Sequence, residues 1–272
     1  MAPVTTKEIK DIIKSLPWKN SSGYDDIQLR ILKITMPLIT SPLTYLSNQL
    51  LSKGYFPTRL KYSLIIPIYK KGNKTDLTNY RPISLLTSFS NIFEKRIYTR
   101  LNKHLTLHKI LANEQYGFRS NTSTDKAVYQ LTNYILKALD NKEWAGGLFC
   151  DLSFDYVNHD ILLEKLKFYG ITGTANKLIK SYLSNRYQRV KINNCYSKWD
   201  NVKRGVPQGS VLGPLLFLVY INDLPATIND ISSPVLFADD TNIICTHQNL
   251  NIFNNEIKIV FQQLIKWLQV NS

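Results

Sequence analysis

Val235-Leu236-Phe237-Ala238-Asp239-Asp240-Thr241-Asn242-Ile243-Ile244 sets two adjacent carboxylates inside an apolar run. Apolar residues on either side of a short polar break read as strand, tight turn and strand, with both acids at the turn. Aspartate is a good turn former in its own right, so an isolated pair would mean little. Like charges side by side nevertheless repel unless water or a cation screens them, and a divalent ion stabilises such a pair best. The stretch therefore predicts an antiparallel hairpin carrying a magnesium site.

The pair is not isolated. Upstream, Gly146-Gly147-Leu148-Phe149-Cys150 is a short apolar run ending in Asp151, which predicts a buried strand with a third carboxylate at its end. Three acids at strand ends can converge. Between the two acidic sites lies Arg204-Gly205-Val206-Pro207-Gln208-Gly209-Ser210-Val211-Leu212-Gly213-Pro214, whose three glycines and two prolines fix a bent backbone before the apolar run Leu215 to Ile221. Such a segment lets a flat ligand approach the main chain.

These blocks, in this order, resemble the reverse transcriptases of non-LTR retrotransposons, the jockey-like elements in particular. The resemblance covers most of the chain. It also rests on Asn79-Tyr80-Arg81-Pro82-Ile83-Ser84-Leu85-Leu86, Glu114-Gln115-Tyr116-Gly117-Phe118-Arg119, Tyr182-Leu183-Ser184-Asn185-Arg186 and Ser21-Ser22-Gly23-Tyr24-Asp25. It implies RNA-templated DNA synthesis. With the strand and turn patterns, it points to an α+β right-hand fold of fingers and palm, the antiparallel palm sheet backed by helices.

By that resemblance Asp151 and Asp239 would hold two magnesium ions, with manganese as the alternative. The main-chain carbonyl of Leu152 would be a further ligand, and Asp240 would support the cluster. One metal would lower the pKa of the primer 3′-hydroxyl while the other neutralises the triphosphate, so the protein supplies position and charge rather than a covalent nucleophile. Lys70 or Lys71 and Arg81 match positions that clamp the incoming triphosphate, Arg as a planar fork and Lys as a point charge. Lys70, Lys71 and Lys74 also read as a solvated basic turn. Gln208 and Gly209 would line the nucleotide and template side. The implied partners are an RNA template, a DNA primer and deoxynucleoside triphosphates; nothing in the sequence fixes an oligomeric state.

One segment departs from the family pattern, which has four residues between the first Asp and Phe-Asp; here only Leu152 and Ser153 precede Phe154-Asp155. The aromatic at that point excludes a ribose 2′-hydroxyl and so selects deoxynucleotides. Phe154 takes the place by motif and Tyr156 by spacing from Asp151. Period-two facing in an extended chain points both the same way and cannot separate them. The shortened segment also admits a second reading, a degenerate copy that keeps the fold and a basic groove and only binds nucleic acid. A viral-type RNA-dependent RNA polymerase is a third. Such enzymes usually have Gly before the Asp-Asp and an acid five residues after the first Asp, where this chain has Ala238 and Tyr156.

Lys and Arg number 34 against 20 Asp and Glu, a formal net charge of +14 that calls for a polyanionic partner. The cations cluster at Lys70 to Lys74, at Lys95-Arg96 with Arg100 and Lys103, at Arg186 to Lys191 and at Lys203-Arg204. Such patches bind phosphates with steep salt dependence and little sequence preference. Sixteen Tyr and 11 Phe supply rings for stacking on bases as well as for the core. Cys150, Cys195 and Cys245 are widely spaced, and His104, His108, His159 and His247 show no zinc-ligand pattern, which predicts reduced thiols in an intracellular protein. No membrane partner is expected, because the longest apolar run is too short to span a bilayer. There is also no basic-then-apolar leader. Secretion is not expected, and nucleus and cytoplasm are equally open.

A 272-residue chain with 44% hydrophobic residues can bury a large core. Thr5-Thr6-Lys7-Glu8 has capping-box spacing ahead of Ile9, Ile12, Ile13 and Leu16, predicting a leading helix. Leu29 to Leu51, with Pro37 and Pro42, predicts helices broken by turns. Further helices are expected over Ser90 to Lys103, Thr124 to Asn141, Asp160 to Tyr169, Thr174 to Ser184, Pro214 to Asn222 and Asn251 to Val270, with strands over Leu64 to Ile68 and Tyr187 to Asn193. Residues 1–47 read as a helical extension and 48–272 as the reverse transcriptase domain, which by the resemblance stops before the thumb. No second acidic constellation of the kind an endonuclease or RNase H needs is present.

Overall fold

A computed structural model describes residues 2–17, 21–228 and 230–272. From the N-terminus come α1 (Thr6–Ser15), α2 (Leu29–Ile34), α3 (Met36–Lys53), β1 (Tyr62–Tyr69), β2 (Tyr80–Leu85) and α4 (Ser88–Leu107). Then follow α5 (Thr124–Asp140), β3 (Trp144–Asp151), α6 (His159–Phe168), α7 (Gly173–Leu183), β4 (Arg186–Ile192), β5 (Cys195–Tyr196) and β6 (Asp200–Val202). The chain ends through α8 (Gly213–Ile221), α9 (Leu224–Ile228), β7 (Ser233–Phe237), β8 (Asp240–His247) and α10 (Leu250–Val270). Helices and strands thus mix as the sequence patterns predict, in two compact units.

The first unit comprises Met1–His104 and Leu163–Gly213. Its sheet runs β2-β1-β4-β5, with β6 also on β4. β1 pairs β2 antiparallel and β4 parallel. β2 lies at the sheet edge, where Pro82 can do without a ladder N–H. The leading helix forms as its cap predicts: the Thr5 hydroxyl accepts from the Glu8 N–H, and the Glu8 carboxylate accepts from the Thr5 N–H. Ile9, Ile12 and Ile13 are the buried face of α1.

The prolines behave differently from expectation. The one break in Leu29 to Leu51 falls at Thr35, between α2 and α3. Pro37 sits in the first turn of α3, where its missing N–H costs nothing. Pro42 lies inside α3 without ending it, since the buried row Leu43, Ser47, Leu50 and Leu51 secures the helix on either side of the lost hydrogen bond.

The second unit comprises Leu105–Leu162 and Pro214–Ser272. Its sheet is antiparallel in the order β3-β8-β7, with α5 and α10 packed on it. α10 buries Phe253, Val260, Leu264 and Trp267. α8 is buried nearly all round, from Leu215 to Ile221, as its unbroken apolar sequence requires. β3 corrects the expectation of a buried strand: it is a sheet edge with exposed and half-buried residues alternating, and Phe149 is 65% exposed. An apolar run reports hydrophobicity, not how many neighbours a strand has.

Candidate active site

Two residues, Ala238 and Asp239, join β7 to β8, and Phe237 pairs with Asp240 across the turn. Ala238 has φ +57°, the left-handed region that glycine usually takes at the first place of such a turn. β3 runs beside β8 in a register that sets Asp151 opposite Asp240, so these two carboxylates leave the same face of the sheet. One residue further, the Leu152 N–H donates to the Asp239 carbonyl at 2.9 Å. Asp151, Asp239 and Asp240 therefore lie at adjacent strand ends, with Asp151 and Asp240 exposed and Asp239 half-buried. Among the described residues no three His, Cys, Asp or Glu side chains already converge as a ready-made metal cage. The register instead brings the backbones that carry these carboxylates to adjacent strand ends, and carboxylate oxygen is the donor chemistry that magnesium takes.

The segment after Asp151 forms a 3₁₀ turn, Phe154–Tyr156, with the Ser153 hydroxyl accepting from the Asp155 N–H. Here the two aromatics part company. Phe154 is 8% exposed, stacked on Phe217 at 4.1 Å and 15° and edge-on to Phe118. Tyr156 is 72% exposed and helps line a cavity of about 470 Å³ with Cys150, Asp151, Leu152, Tyr220 and Trp267. Curling into a helical turn abandons the period-two facing that held them together in the sequence reading.

The other expected site residues belong to the first unit. Lys70 and Lys71 are exposed where β1 ends, the Lys70 N–H donating to the Asn79 carbonyl. Arg81 is exposed on β2, opposite Ile68. The Gln208 carbonyl accepts from the Ser84 N–H at 2.8 Å. Gly209 has φ +104°, and a Cβ there would come 2.9 Å from the Ser84 carbonyl. β2 thus carries Arg81 and also docks the Gln208-Gly209 loop, which only glycine can bring this close.

Sequence reasoning missed Glu94. It is 0% exposed on α4, and its carboxylate accepts from the Val211 N–H at 2.8 Å, the Leu212 N–H at 3.3 Å and the Ser90 hydroxyl at 3.0 Å. It pins the far end of the loop that holds Gln208 and Gly209. Burial pushes its carboxyl above the usual carboxylate range, against the opposing pull of Arg186 and the three donors. The readable signal was an acid in the core register of a helix, four residues after Ser90 and three before Ile97. Two of the basic patches also shrink. Arg186 is buried against the Tyr182 ring with its guanidinium on the Tyr182 carbonyl, and Arg96 is buried in an ion pair with Glu8.

All three cysteines are free thiols. Cys245 is buried, and desolvation with help from Glu256 pushes its pKa up to about 11, while burial also raises that of half-buried Cys150. Alkylation of the native protein at pH 8 followed by mass spectrometry is expected to mark exposed Cys195 first, Cys150 slowly and Cys245 only on unfolding. Early labelling of Cys245 would contradict the packing of β8.

No helix among the described residues is long and apolar enough to cross a membrane. Residues 68–271 match the family model of reverse transcriptase (RNA-dependent DNA polymerase). The chain is 40% identical over 232 residues to a probable RNA-directed DNA polymerase from transposon BS of Drosophila melanogaster, covering 82% of this chain and 25% of that protein. It is 31% identical over 278 residues to the RNA-directed DNA polymerase from mobile element jockey of the same species, covering 99% of this chain and 30% of that protein. A type-1 retrotransposable element R2 Pol polyprotein of Popillia japonica is 26% identical over 252 residues, 88% of this chain. The chain therefore spans between a fifth and about a third of the length of the curated relatives it matches. These matches leave no support for the viral RNA polymerase reading. The carboxylate hairpin, the glycine-rich loop and the strand before it all fall inside the matched residues, and the chain belongs to the reverse transcriptase (RNA-dependent DNA polymerase) family, as a domain of the non-LTR retrotransposon type.

Proposed function

We propose that this chain is the fingers and palm of an RNA-directed DNA polymerase, with residues 48–272 as the catalytic domain behind a helical extension of residues 1–47. The observation that carries the reading is the register of β3 on β8, which sets Asp151 against Asp240 beside the Asp239 turn. In this reading Asp151, Asp239 and the Leu152 carbonyl hold divalent metal, and Asp240 reinforces the negative field. Magnesium or manganese, when bound, would supply activation of the primer 3′-hydroxyl and neutralisation of the triphosphate. The protein's own groups do the positioning. Lys70 or Lys71 and Arg81 serve the triphosphate, and Gln208 and Gly209 serve the nucleotide and template. Tyr156, exposed beside Asp151, is better placed than buried Phe154 to exclude a ribose 2′-hydroxyl.

Primer extension by the purified chain on an RNA template with magnesium tests the proposal, with affinity for an RNA/DNA hybrid measured across a salt series. Extension is expected, together with binding of about micromolar strength or weaker whose log affinity falls steeply with log salt through counterion release. Salt-sensitive binding with no extension would assign the chain to the nucleic-acid-binding, degenerate class. Binding indifferent to salt would remove the phosphate-groove argument as well.

A further inference from the structure

Gln115 is a buried polar side chain, 4% exposed, to which neither the sequence motifs nor the proposed chemistry gives a task. The residues around it form an isolated parallel bridge, Gln115 to Leu236, on the outer side of β7. The Tyr116 N–H donates to the Leu236 carbonyl at 2.8 Å, and the Leu236 N–H donates to the Glu114 carbonyl at 2.8 Å. This contact stops one residue short of the catalytic turn, and the Gln115 amide continues it. Its Oε1 accepts from the Ala238 N–H at 3.0 Å and from the Gly117 N–H at 2.6 Å, while its Nε2 donates to the Ala238 carbonyl at 3.5 Å. Gly117 closes the other side, where a Cβ would come within 2.1 Å of the Ala238 nitrogen.

Ala238 is thus gripped at both its N–H and its carbonyl while it holds φ +57°, a conformation an alanine leaves readily when nothing restrains it. The next residue is Asp239. We infer that Gln115 is a positioning residue: through Ala238 it fixes the backbone from which the Asp239 carboxylate is aimed. A primary amide suits the task because it offers acceptor and donor together, so it can hold both polar groups of one residue, and burial keeps water from competing. The inference rests on the polymerase reading only for its activity arm; the clamp itself is a property of the fold.

The test begins with the unaltered protein. Amide hydrogen exchange read by NMR should show the Ala238 N–H protected, although the tip of a two-residue hairpin ordinarily exchanges fast. Rapid exchange at Ala238 would overturn the inference without any variant. Gln115→Met keeps the volume and removes the clamp. It should cost about tenfold in protection at Ala238, the worth of one ordinary hydrogen bond, with amides elsewhere in β8 unchanged. Gln115→Glu keeps the acceptor and should restore most of that protection. In primer extension the Met variant should lose on the order of a hundredfold in kcat, the cost of misplacing a reacting group by ~1 Å, with KM for the nucleotide held. Unchanged protection at Ala238, or Met equal to wild type in both readouts, would show that Gln115 only fills space. An unaltered protein that protects Ala238 but extends no primer would instead sink the polymerase reading and leave the clamp standing.

Discussion

Asp239→Ala is expected to abolish magnesium-dependent primer extension, a loss at least on the order of a thousandfold, because groups that act as a unit fail together. Asp239 occupies the second place of the β7 to β8 turn and is half-buried. Truncating it should leave the sheet intact, with a thermal midpoint close to that of the unaltered chain. Asp239→Asn, which keeps the shape and removes the charge, should fail equally. Asp240→Ala should retain more activity, since that residue is proposed to support the cluster rather than to bridge. Single-turnover extension with a magnesium titration makes the comparison. Activity unchanged in Asp239→Ala would mean that the two acids form a turn and nothing more.

Phe154→Ala and Tyr156→Ala should divide stability from selectivity. Phe154 is stacked face to face on Phe217 and edge-on to Phe118, so its removal should cost about 3–5 kcal/mol in urea denaturation. Tyr156 projects into solvent beside the cavity at Asp151, and its removal should change stability by no more than about 0.5 kcal/mol. Its signature is expected in the sugar: Tyr156→Ala should raise ribonucleotide incorporation relative to deoxynucleotide, and Phe154→Leu should not. If the Phe154 variant alone relaxes sugar choice, the gate follows the motif rather than the spacing from Asp151.

What could be read from the sequence was whatever a local signal states completely. The capping box named the start of α1, apolar spacing marked α4, α5 and α10, and the two acids between apolar runs named the β7 to β8 hairpin. What could not be read depended on partners far along the chain. Nothing near Gly146 says that β3 lies at an edge, because edge or centre is decided by how many strands dock. Glu94 stands in the core register of α4, but its task shows only once Val211 and Leu212 arrive to give it two N–H groups. Gln115 looks like a polar loop residue until Ala238 arrives to offer it an N–H and a carbonyl. Phe154 and Tyr156 were inseparable in an extended chain and became distinct once the segment curled into a 3₁₀ turn.

Among the described residues, the three-stranded sheet of the second unit is hemmed at its β7 margin and not at its β3 margin. Residues 114–116 bind the outer edge of β7, whereas among the described residues no strand pairs with the outer edge of β3. A sheet fastened at one margin loosens from the other, since fraying starts where the fewest hydrogen bonds must break. Asp239 therefore sits toward the fastened margin and Asp151 on the loose one. Peeling of β3 on heating would part the two carboxylates before the chain as a whole melts, so the heat tolerance of the proposed site would follow the hold of a single strand.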